Sequence, residues 1–224
     1  MATSGTYTFR PDVDEIIVEA WERCGIDAQQ LTGYQARLSR RSLNIMFADW
    51  ATRGINYWTT VETTLALTQS DNTYTLAVGT VDILSAVVRR SSADTTMTRM
   101  ALTDYNALPN KTTEGRPTQF FFDRQYTPQI YLWPTPENST DTIVYWALMQ
   151  IEDVTSSNED TDIPYRWTDA MAAGLAMRLY TKLQTIDANR LAMLQAQATA
   201  SFSNAATDEG ERATLRIVPT SAIG

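Results

Sequence analysis

Apolar residues recur every three or four positions at both ends of this 224-residue chain and every second position in its middle. The first spacing is that of a helix with one buried side, and the second is that of a half-buried strand. Each terminal pair of helices is too small to bury its apolar sides alone. We therefore predict an α+β fold in which N- and C-terminal helices form a four-helix bundle with an inserted antiparallel β-sandwich or barrel.

The changes in spacing divide the chain into four segments. They are an N-terminal helical part at residues 1–54, an inserted β domain at 55–152, a C-terminal helical part at 153–212 and an extended tail at 213–224. We expect the C-terminal helices to pack on the N-terminal ones.

Capping residues locate the predicted helices. Asp12, with Glu15 three positions later, forms a capping-box pattern before the first helix, and Gly25 ends that helix. The second helix is predicted from Tyr34 to Arg53. A slim third helix carries a large apolar residue at every fourth position, and a final helix starts near Asp187. The four apolar residues of the third helix are Trp167, Met171, Leu175 and Leu179.

Alternating segments separated by turn residues predict the strands of the middle region. Residues 104–108 are expected to form a short helical turn between two of them. The predicted strands are at 61–68, 74–78, 81–90, 96–102, 118–123, 129–133 and 142–151.

Several of these strands are apolar on both sides. Phe121 and Tyr131 alternate with other large apolar residues, and Trp133 and Trp146 extend the same pattern. A strand with two apolar sides requires cover on both, from the helical part or from another subunit. The sequence therefore predicts oligomerisation, with Phe121, Tyr131, Trp133 and Trp146 at a subunit or partner interface.

The absence of histidine and the single cysteine exclude most catalytic chemistry. Serine–histidine and cysteine–histidine nucleophiles cannot be built, and neither can a Cys/His zinc site or an internal disulfide. No phosphate-binding loop or nucleophile elbow is present. A carboxylate pair for glycoside cleavage and a Ca²⁺ site in the acidic loop around Asp160 stay open, but no spacing favours them. We predict a non-enzymatic protein with no cofactor and no metal.

The net charge of −8 makes the chain a poor ligand for DNA, whose binding depends on lysine and arginine. Arg37, Arg40 and Arg41 cluster in the second helix, and Arg89 and Arg90 end a strand. They form either a solvated face or an electrostatic contact with an acidic neighbour in an assembly.

The C-terminal tail is apolar without any core of its own. Leu215, Ile217 and Val218 favour strand addition to a partner over a frayed terminus. No secretory signal and no apolar run of about 20 residues is found, so we expect synthesis and assembly in a cytoplasm and no membrane association.

Several motifs in this order resemble the head-to-tail adaptor proteins of short-tailed bacteriophages, also called tail tubular protein A or tail accessory factor. The resemblance covers nearly the whole chain, and it includes the helix from Leu38 to Arg53. Its most specific motifs are Gly54-Ile-Asn-Tyr-Trp58, Tyr74-Thr-Leu-Ala-Val78, Val81-Asp-Ile-Leu84, Arg116-Pro-Thr-Gln-Phe120, Ile130-Tyr-Leu-Trp-Pro134 and Ile163-Pro-Tyr-Arg-Trp167.

The resemblance implies a structural subunit of the virion, in a twelve-fold ring beneath the portal protein. The β domains would face the next tail component, the nozzle, and genomic DNA would pass through the ring without specific binding. A C-terminal extension would clasp the portal, and by position its residues here are Leu215, Arg216, Ile217 and Val218. The alternatives are another virion part such as a tail-tube or nozzle subunit, a carbohydrate-binding or carbohydrate-cleaving β-module, and a soluble domain of unrelated function.

Overall fold

The computed structural model describes residues 5–6, 8–27, 29, 31–53, 57–156 and 158–209. Two compact units are present: Phe47–Asp153 forms one, and the residues before and after it together form the other. We refer to them as the β unit and the helical unit. The division predicted from the sequence, at residues 54, 152 and 212, stays a prediction.

Five α-helices are described, four of them long. They are α1 (Val13–Arg23), α2 (Gly33–Thr52), the short α3 (Leu102–Ala107), α4 (Thr168–Tyr180) and α5 (Ala188–Glu209).

The first two helices begin at side-chain caps. The carboxylate of Asp12 accepts a hydrogen bond from the backbone nitrogen of Glu15 at 2.8 Å, as the sequence predicts. Thr32 and Gln35 form a capping box, in which the Thr32 nitrogen donates to the Gln35 side chain at 2.8 Å and the Thr32 hydroxyl accepts from the Gln35 nitrogen at 3.3 Å. This pair starts α2 one residue before the predicted Tyr34.

Buried residues join the helices of the helical unit. The large residues predicted at every fourth position of the third helix are all buried, and they include Trp167 and Leu175. Trp167 also meets Phe202 of α5 edge to face at 5.5 Å, and α4 packs against both α1 and α5. From α1, the thiol of Cys24 donates to the Ala176 carbonyl at 3.3 Å. These pairwise contacts are consistent with a four-helix bundle, which stays a prediction.

Two four-stranded sheets make up most of the β unit. The strand order is β1-β10-β3-β4 in the first sheet and β2-β8-β7-β5 in the second, and β6 pairs with β9. The strands are β1 (Thr60–Ala66), β2 (Thr73–Thr75), β3 (Thr80–Arg90), β4 (Ala93–Thr96), β5 (Thr98–Arg99), β6 (Glu114–Gly115), β7 (Gln119–Asp123), β8 (Gln129–Trp133), β9 (Thr135–Pro136) and β10 (Thr142–Met149).

The two sheets share one buried core. Ile83, Val88 and Ile143 come from the first sheet, and Phe120 and Leu132 come from the second. A buried side chain of this size contributes about 1.5–3 kcal/mol relative to an exposed one. The α+β class and the antiparallel sheets are thus confirmed, while the inserted sandwich or barrel stays a prediction.

The sequence-based assignment is wrong in two details of this unit. The strand predicted at 96–102 is interrupted at Met97, whose buried side chain marks the point where the chain leaves the first sheet for the second. Leu102 then begins α3. Two pairings are parallel, β5 with β7 and β6 with β9. The two strands of each pair are not joined by a hairpin, and they meet where the chain passes from one part of the unit to another.

Candidate interaction surfaces

An aromatic cluster covers the outer side of the second sheet. Tyr105 of α3 stacks on Phe121 of β7 with ring centroids 5.7 Å apart, and it lies 5.3 Å from the ring of Tyr131 on β8. The Lys111 ammonium lies 5.3 Å from the centroid of Tyr105. A segment between two strands therefore supplies cover that the sequence analysis assigned to the helical part or another subunit.

Trp133 lies on the same sheet and is also held from within the chain. Its indole nitrogen donates to the carbonyl of Asn110 at 3.1 Å. Phe121, Tyr131 and Trp133 are each half-buried, so part of each side chain is still exposed. Their place in an interface with another molecule stays a prediction.

Trp146 belongs to the first sheet and is 44% exposed. It pairs in register with Glu62 on one side and Ser85 on the other. Leu84, next to Ser85, is 56% exposed. The structure therefore separates Trp146 from the other three predicted interface residues and places a second exposed apolar residue near it.

The arginines at the end of β3 have partners inside the β unit. Arg89 forms a two-pronged ion pair with Asp94 at 2.7 and 2.8 Å. Arg90 contacts Asp141 at 2.7 Å and Glu137 at 2.6 Å. These two arginines are engaged in intramolecular ion pairs, and this lowers the pKa of the Asp94 and Asp141 carboxyls.

The arginines of α2 are in a different situation. Arg40 lies near Glu159, whose pKa is lowered mainly by hydrogen bonds from Thr155 and Ser156 and slightly by that arginine. Arg37 and Arg41 are exposed, and no ion pair of either is found in the described part of the chain. They are four residues apart and therefore share one side of the helix.

Two cations from the end of α4 join this side of α2. The ammonium of Lys182 donates to the hydroxyl of Ser42, the residue after Arg41. Burial lowers the pKa of Lys182, and the neighbouring charges of Arg41 and Arg178 lower it further. We call Arg37, Arg41, Arg178 and Lys182 the cationic cluster. The sequence analysis missed its second half because Arg178 and Lys182 lie more than a hundred residues away.

A groove of about 710 Å³ lies along α1, and two exposed aromatic rings flank it. Phe9 is 80% exposed and Tyr165 is 76% exposed. Both rings also border a neighbouring concavity that includes Asp160 and Asp162. The charged residues that line this aromatic groove are Asp12, Asp14, Glu15, Glu19, Arg23, Arg166 and Asp169.

One side of the aromatic groove is fixed by a charge network. Arg23 contacts Glu19 at 2.7 Å and Asp169 at 2.8 Å. A hydrogen bond from Ser201 and the one from Arg23 lower the pKa of the Asp169 carboxyl. These bonds tie α1, α4 and α5 together at this end. The groove was not predicted from the sequence. A usable signal was Tyr165, an aromatic residue beside Pro164 in a polar segment.

The acidic loop before α4 is organised by its own side chain. The Glu159 carboxylate accepts hydrogen bonds from the backbone nitrogens of Thr155 at 2.9 Å and Ser156 at 3.0 Å, and from the Thr155 hydroxyl at 2.6 Å. Within the residues that the structure describes, no group of three or more acidic, cysteine or histidine side chains is placed to hold a metal ion.

Two further predictions from the sequence concern the C-terminal tail and membrane association. Leu215, Arg216, Ile217 and Val218, the predicted portal-binding residues, lie outside the described residues. Over the described ranges, no helix combines the length and the apolar character needed to span a bilayer.

Comparison with protein families decides the class of this protein. The model of the family described as SU10 adaptor protein matches residues 11–220, which is nearly the whole chain. The chain belongs to the SU10 adaptor family. The prediction of a structural phage adaptor is therefore confirmed, and membership of that family points to a place in the virion.

No curated protein matches the adaptor significantly. Its narrower assignment, to the head-to-tail connector of short-tailed phages, stays a prediction. The surfaces described above are the places where such an adaptor would meet other copies or other virion proteins.

Proposed function

We propose that this adaptor is one subunit of the ring that joins the portal to the tail of a short-tailed phage. The observation that carries the proposal is the adaptor-family match over residues 11–220. The short-tailed type is supported by the large β unit, since the related connectors of long-tailed phages are mostly helical and lack such an insertion. The proposed partners are the portal protein, the nozzle protein and further copies of the chain.

The finer architecture belongs to the same proposal. We infer that α1, α2, α4 and α5 form a four-helix bundle and that the two sheets form an inserted sandwich. The helical contacts and the core shared by both sheets support this reading. The proposed segments are 1–54, 55–152, 153–212 and 213–224, of which the last is the extended tail.

The ring would line the path of the DNA without gripping it. Twelve copies, each with a net charge of −8, would carry about −96, which repels phosphate. Neutralised arginines such as Arg89 and Arg90 fit a channel that DNA slides through, because their charge is already satisfied inside the chain.

Exposed apolar side chains supply candidate contacts for the partners. Trp146 and Leu84 form one such area on the first sheet, and the half-buried rings of Phe121, Tyr131 and Trp133 form another on the second. Aromatic residues of this kind dominate the energetics of protein interfaces. We propose that the β unit presents them to the nozzle.

The tail would dock on the portal as an added strand. Leu215, Ile217 and Val218 would fill pockets on the portal while the backbone, including that of Arg216, pairs with a sheet edge. Because the segment has no core of its own, its loss should leave the rest of the fold intact.

The test is assembly with the purified portal protein. A mixture with the full chain should give a stoichiometric ring on the portal by electron microscopy. A variant without residues 213–224 should stay folded by circular dichroism and lose portal binding. The matched control lacks only residues 219–224 and keeps the four clasping residues, so it should bind.

Normal portal binding by the shorter variant would show that the clasp is wrong. If the full chain does not bind the portal but assembles with nozzle or tube protein, the protein is a different component of the virion. Turnover of a glycan substrate would overturn the structural role altogether.

A further inference from the structure

Two surfaces of the helical unit carry opposite charge. The aromatic groove is lined by five carboxylates and two guanidiniums, a formal net charge of −3. The cationic cluster contributes four positive charges, and in the described chain no acidic partner of Arg37, Arg41 or Lys182 is found. Each surface therefore has the charge that would attract the other.

These surfaces lie on different sides of the helical unit. Glu19 and Arg23 of α1 line the aromatic groove. Trp21 lies two residues from Glu19 and two from Arg23. Its side chain therefore points about 200° around α1 from that of Glu19, nearly to the opposite side of the helix. Its indole nitrogen donates to Ser39 of α2 at 2.9 Å, which places α2 on the side of α1 away from the groove. The α2 part of the cationic cluster is therefore remote from the groove in the same chain.

The length of α4 separates the rest of the two surfaces. Asp169 lies in the first turn of α4 and lines the groove, while Arg178 lies in its last turn. Nine residues of helix correspond to about 13.5 Å along the axis. A single molecule cannot bring the cluster to its own groove without unfolding the helix. A neighbouring copy can.

Exposed rings beside the groove favour a protein partner. The acids in the first turn of α1 are partly explained by the helix dipole. The helix dipole does not explain Phe9 and Tyr165, which are 80% and 76% exposed in the single molecule. A pair of aromatic rings can bury about 300–400 Å² on association, as the centre of an interface with a charged rim does.

We propose that the aromatic groove of one copy receives the cationic cluster of the next copy in a head-to-tail contact between subunits. Two different surfaces of identical chains that complement one another repeat from copy to copy, and they close a ring when the rotation between copies divides a full turn. This inference rests on the proposed ring function and adds the residues that would make the ring contact. Phe9 and Tyr165 would pack against the aliphatic stems of Arg37 and Arg41.

Two charge-reversed variants test the contact. The first, Asp14→Lys with Glu15→Lys, makes the groove basic. The second, Arg37→Glu with Arg41→Glu, takes the formal charge of the cluster from +4 to 0 and places two carboxylates on its α2 side. The control, Glu22→Lys with Asp153→Lys, makes the same charge change as the first variant at exposed acids outside both surfaces. Within the described residues, no ion pair and no side-chain hydrogen bond is found for any of the residues reversed.

Self-association is measured by sedimentation velocity on the full chain without portal. The wild type should associate at about 50 mM salt and dissociate at about 500 mM, because added salt screens contacts between exposed charges. Each reversed variant should associate at least about tenfold more weakly, since like charges then face one another. The control should behave as the wild type.

Mixing the two reversed variants gives the decisive result. In an equimolar mixture, the two lysines of the changed groove meet the two glutamates of the changed cluster, and an unchanged acidic groove meets an unchanged cationic cluster, so alternating copies should assemble again. A wild type that stays monomeric at both salt concentrations, equal weakening of the control, or no recovery in the mixture would each overturn the contact. Binding of duplex DNA that the Arg37→Glu/Arg41→Glu change abolishes, with unchanged self-association, would assign the cluster to DNA instead.

The portal assay keeps the two proposals apart. A variant that no longer self-associates but is recruited to the portal shows that the adaptor function stands and that the contact is required between copies. Rings that form normally on the portal with either reversed variant show that the contact is wrong while the function stands. If the wild type self-associates but does not bind the portal, the proposed adaptor function is wrong and the proposed contact between copies stands.

Discussion

Trp21 donates its indole N–H to the hydroxyl of Ser39 at 2.9 Å, between two buried side chains on α1 and α2. The Ser39 hydroxyl in turn donates to the Gln35 carbonyl at 2.8 Å. The bond therefore fixes how the two N-terminal helices meet. A buried donor without a partner costs more than the bond itself contributes.

Ser39→Ala should consequently destabilise the protein by about 1–3 kcal/mol in urea unfolding, because the indole N–H loses its acceptor. The Trp21→Phe/Ser39→Ala double variant removes both polar groups and should cost less than the sum of the two single changes. Strict additivity of the free energies of unfolding would contradict a direct coupling of the two residues.

Asp141 should make stability depend on acid pH. Its side chain is only 3% exposed, and hydrogen bonds from Arg90 lower its pKa. A carboxyl whose folded pKa is lowered stabilises the protein above its unfolded pKa of about 3.9 and loses that stabilisation as the pH falls through the folded value. Asp141→Asn should thus reduce stability at pH 7 by about 1.5–3 kcal/mol and flatten the loss below about pH 4.

The control for this prediction is Asp94→Asn. Asp94 is also bonded to an arginine, but its side chain is 41% exposed and that of Arg89 is 44% exposed. Water screens an exposed pair, so this substitution should change the unfolding midpoint much less. Equal effects of the two substitutions would show that burial is not what makes Asp141 important.

Cys24 should resist alkylation in the folded protein. Burial raises the pKa of its thiol to about 11. At pH 8.5 the reactive thiolate is then roughly 0.3% of the folded form, against about half for an exposed cysteine. Iodoacetamide labelling followed by mass spectrometry should be at least about a hundredfold slower in buffer than in urea. Similar rates in both conditions would mean that the thiol is exposed.

The same thiol predicts a loss of stability at high pH. A group that stays protonated longer in the folded state stabilises that state fully below the unfolded pKa of about 8.5. The contribution disappears as the pH rises from there toward about 11. Cys24→Ala should remove this part of the alkaline dependence, as chemical denaturation at pH 8 and pH 10 can show.

Gly25 should not tolerate a side chain. Its φ is +81°, and an added Cβ would lie 2.8 Å from the guanidinium of Arg190, which donates to the Arg23 carbonyl at 2.9 Å. Gly25→Ala should therefore cost about 1–2 kcal/mol from the left-handed backbone alone, with the displaced arginine adding to it. Gly33→Ala is the matched control: no atom lies within 4 Å of its added Cβ, so it should be neutral or stabilising by up to about 1 kcal/mol.

Long periodic segments were predictable from the sequence. α1 begins after Asp12 as expected, because a cap and an apolar period of 3.6 agree there. β8 matches its predicted range, since turn residues bound an alternating segment on both sides. β6 and β9 were missed because two residues cannot show a period, and their position depends on where the rest of the chain crosses.

Candidate surfaces were predictable only in part. The pairing of Arg89 with Asp94 follows from the hairpin register of β3 and β4 and was in reach of sequence reasoning. The bond of Arg90 to Asp141 joins residues 51 positions apart and was not predictable from the sequence. Likewise, the aromatic groove brings Phe9 to Tyr165, and the cationic cluster brings Arg41 to Lys182, across distances in sequence that no local pattern encodes.

The helical unit is interrupted by the β unit, and this has a consequence during synthesis. Cys24 reaches its acceptor on Ala176 only after the whole of Phe47–Asp153 has been translated. At about 5–20 residues per second, the apolar sides of α1 and α2 wait on the order of 5–20 s for their partners. The nascent chain is thus most exposed to chaperones and to aggregation at its N-terminus, and a slower ribosome lengthens that interval.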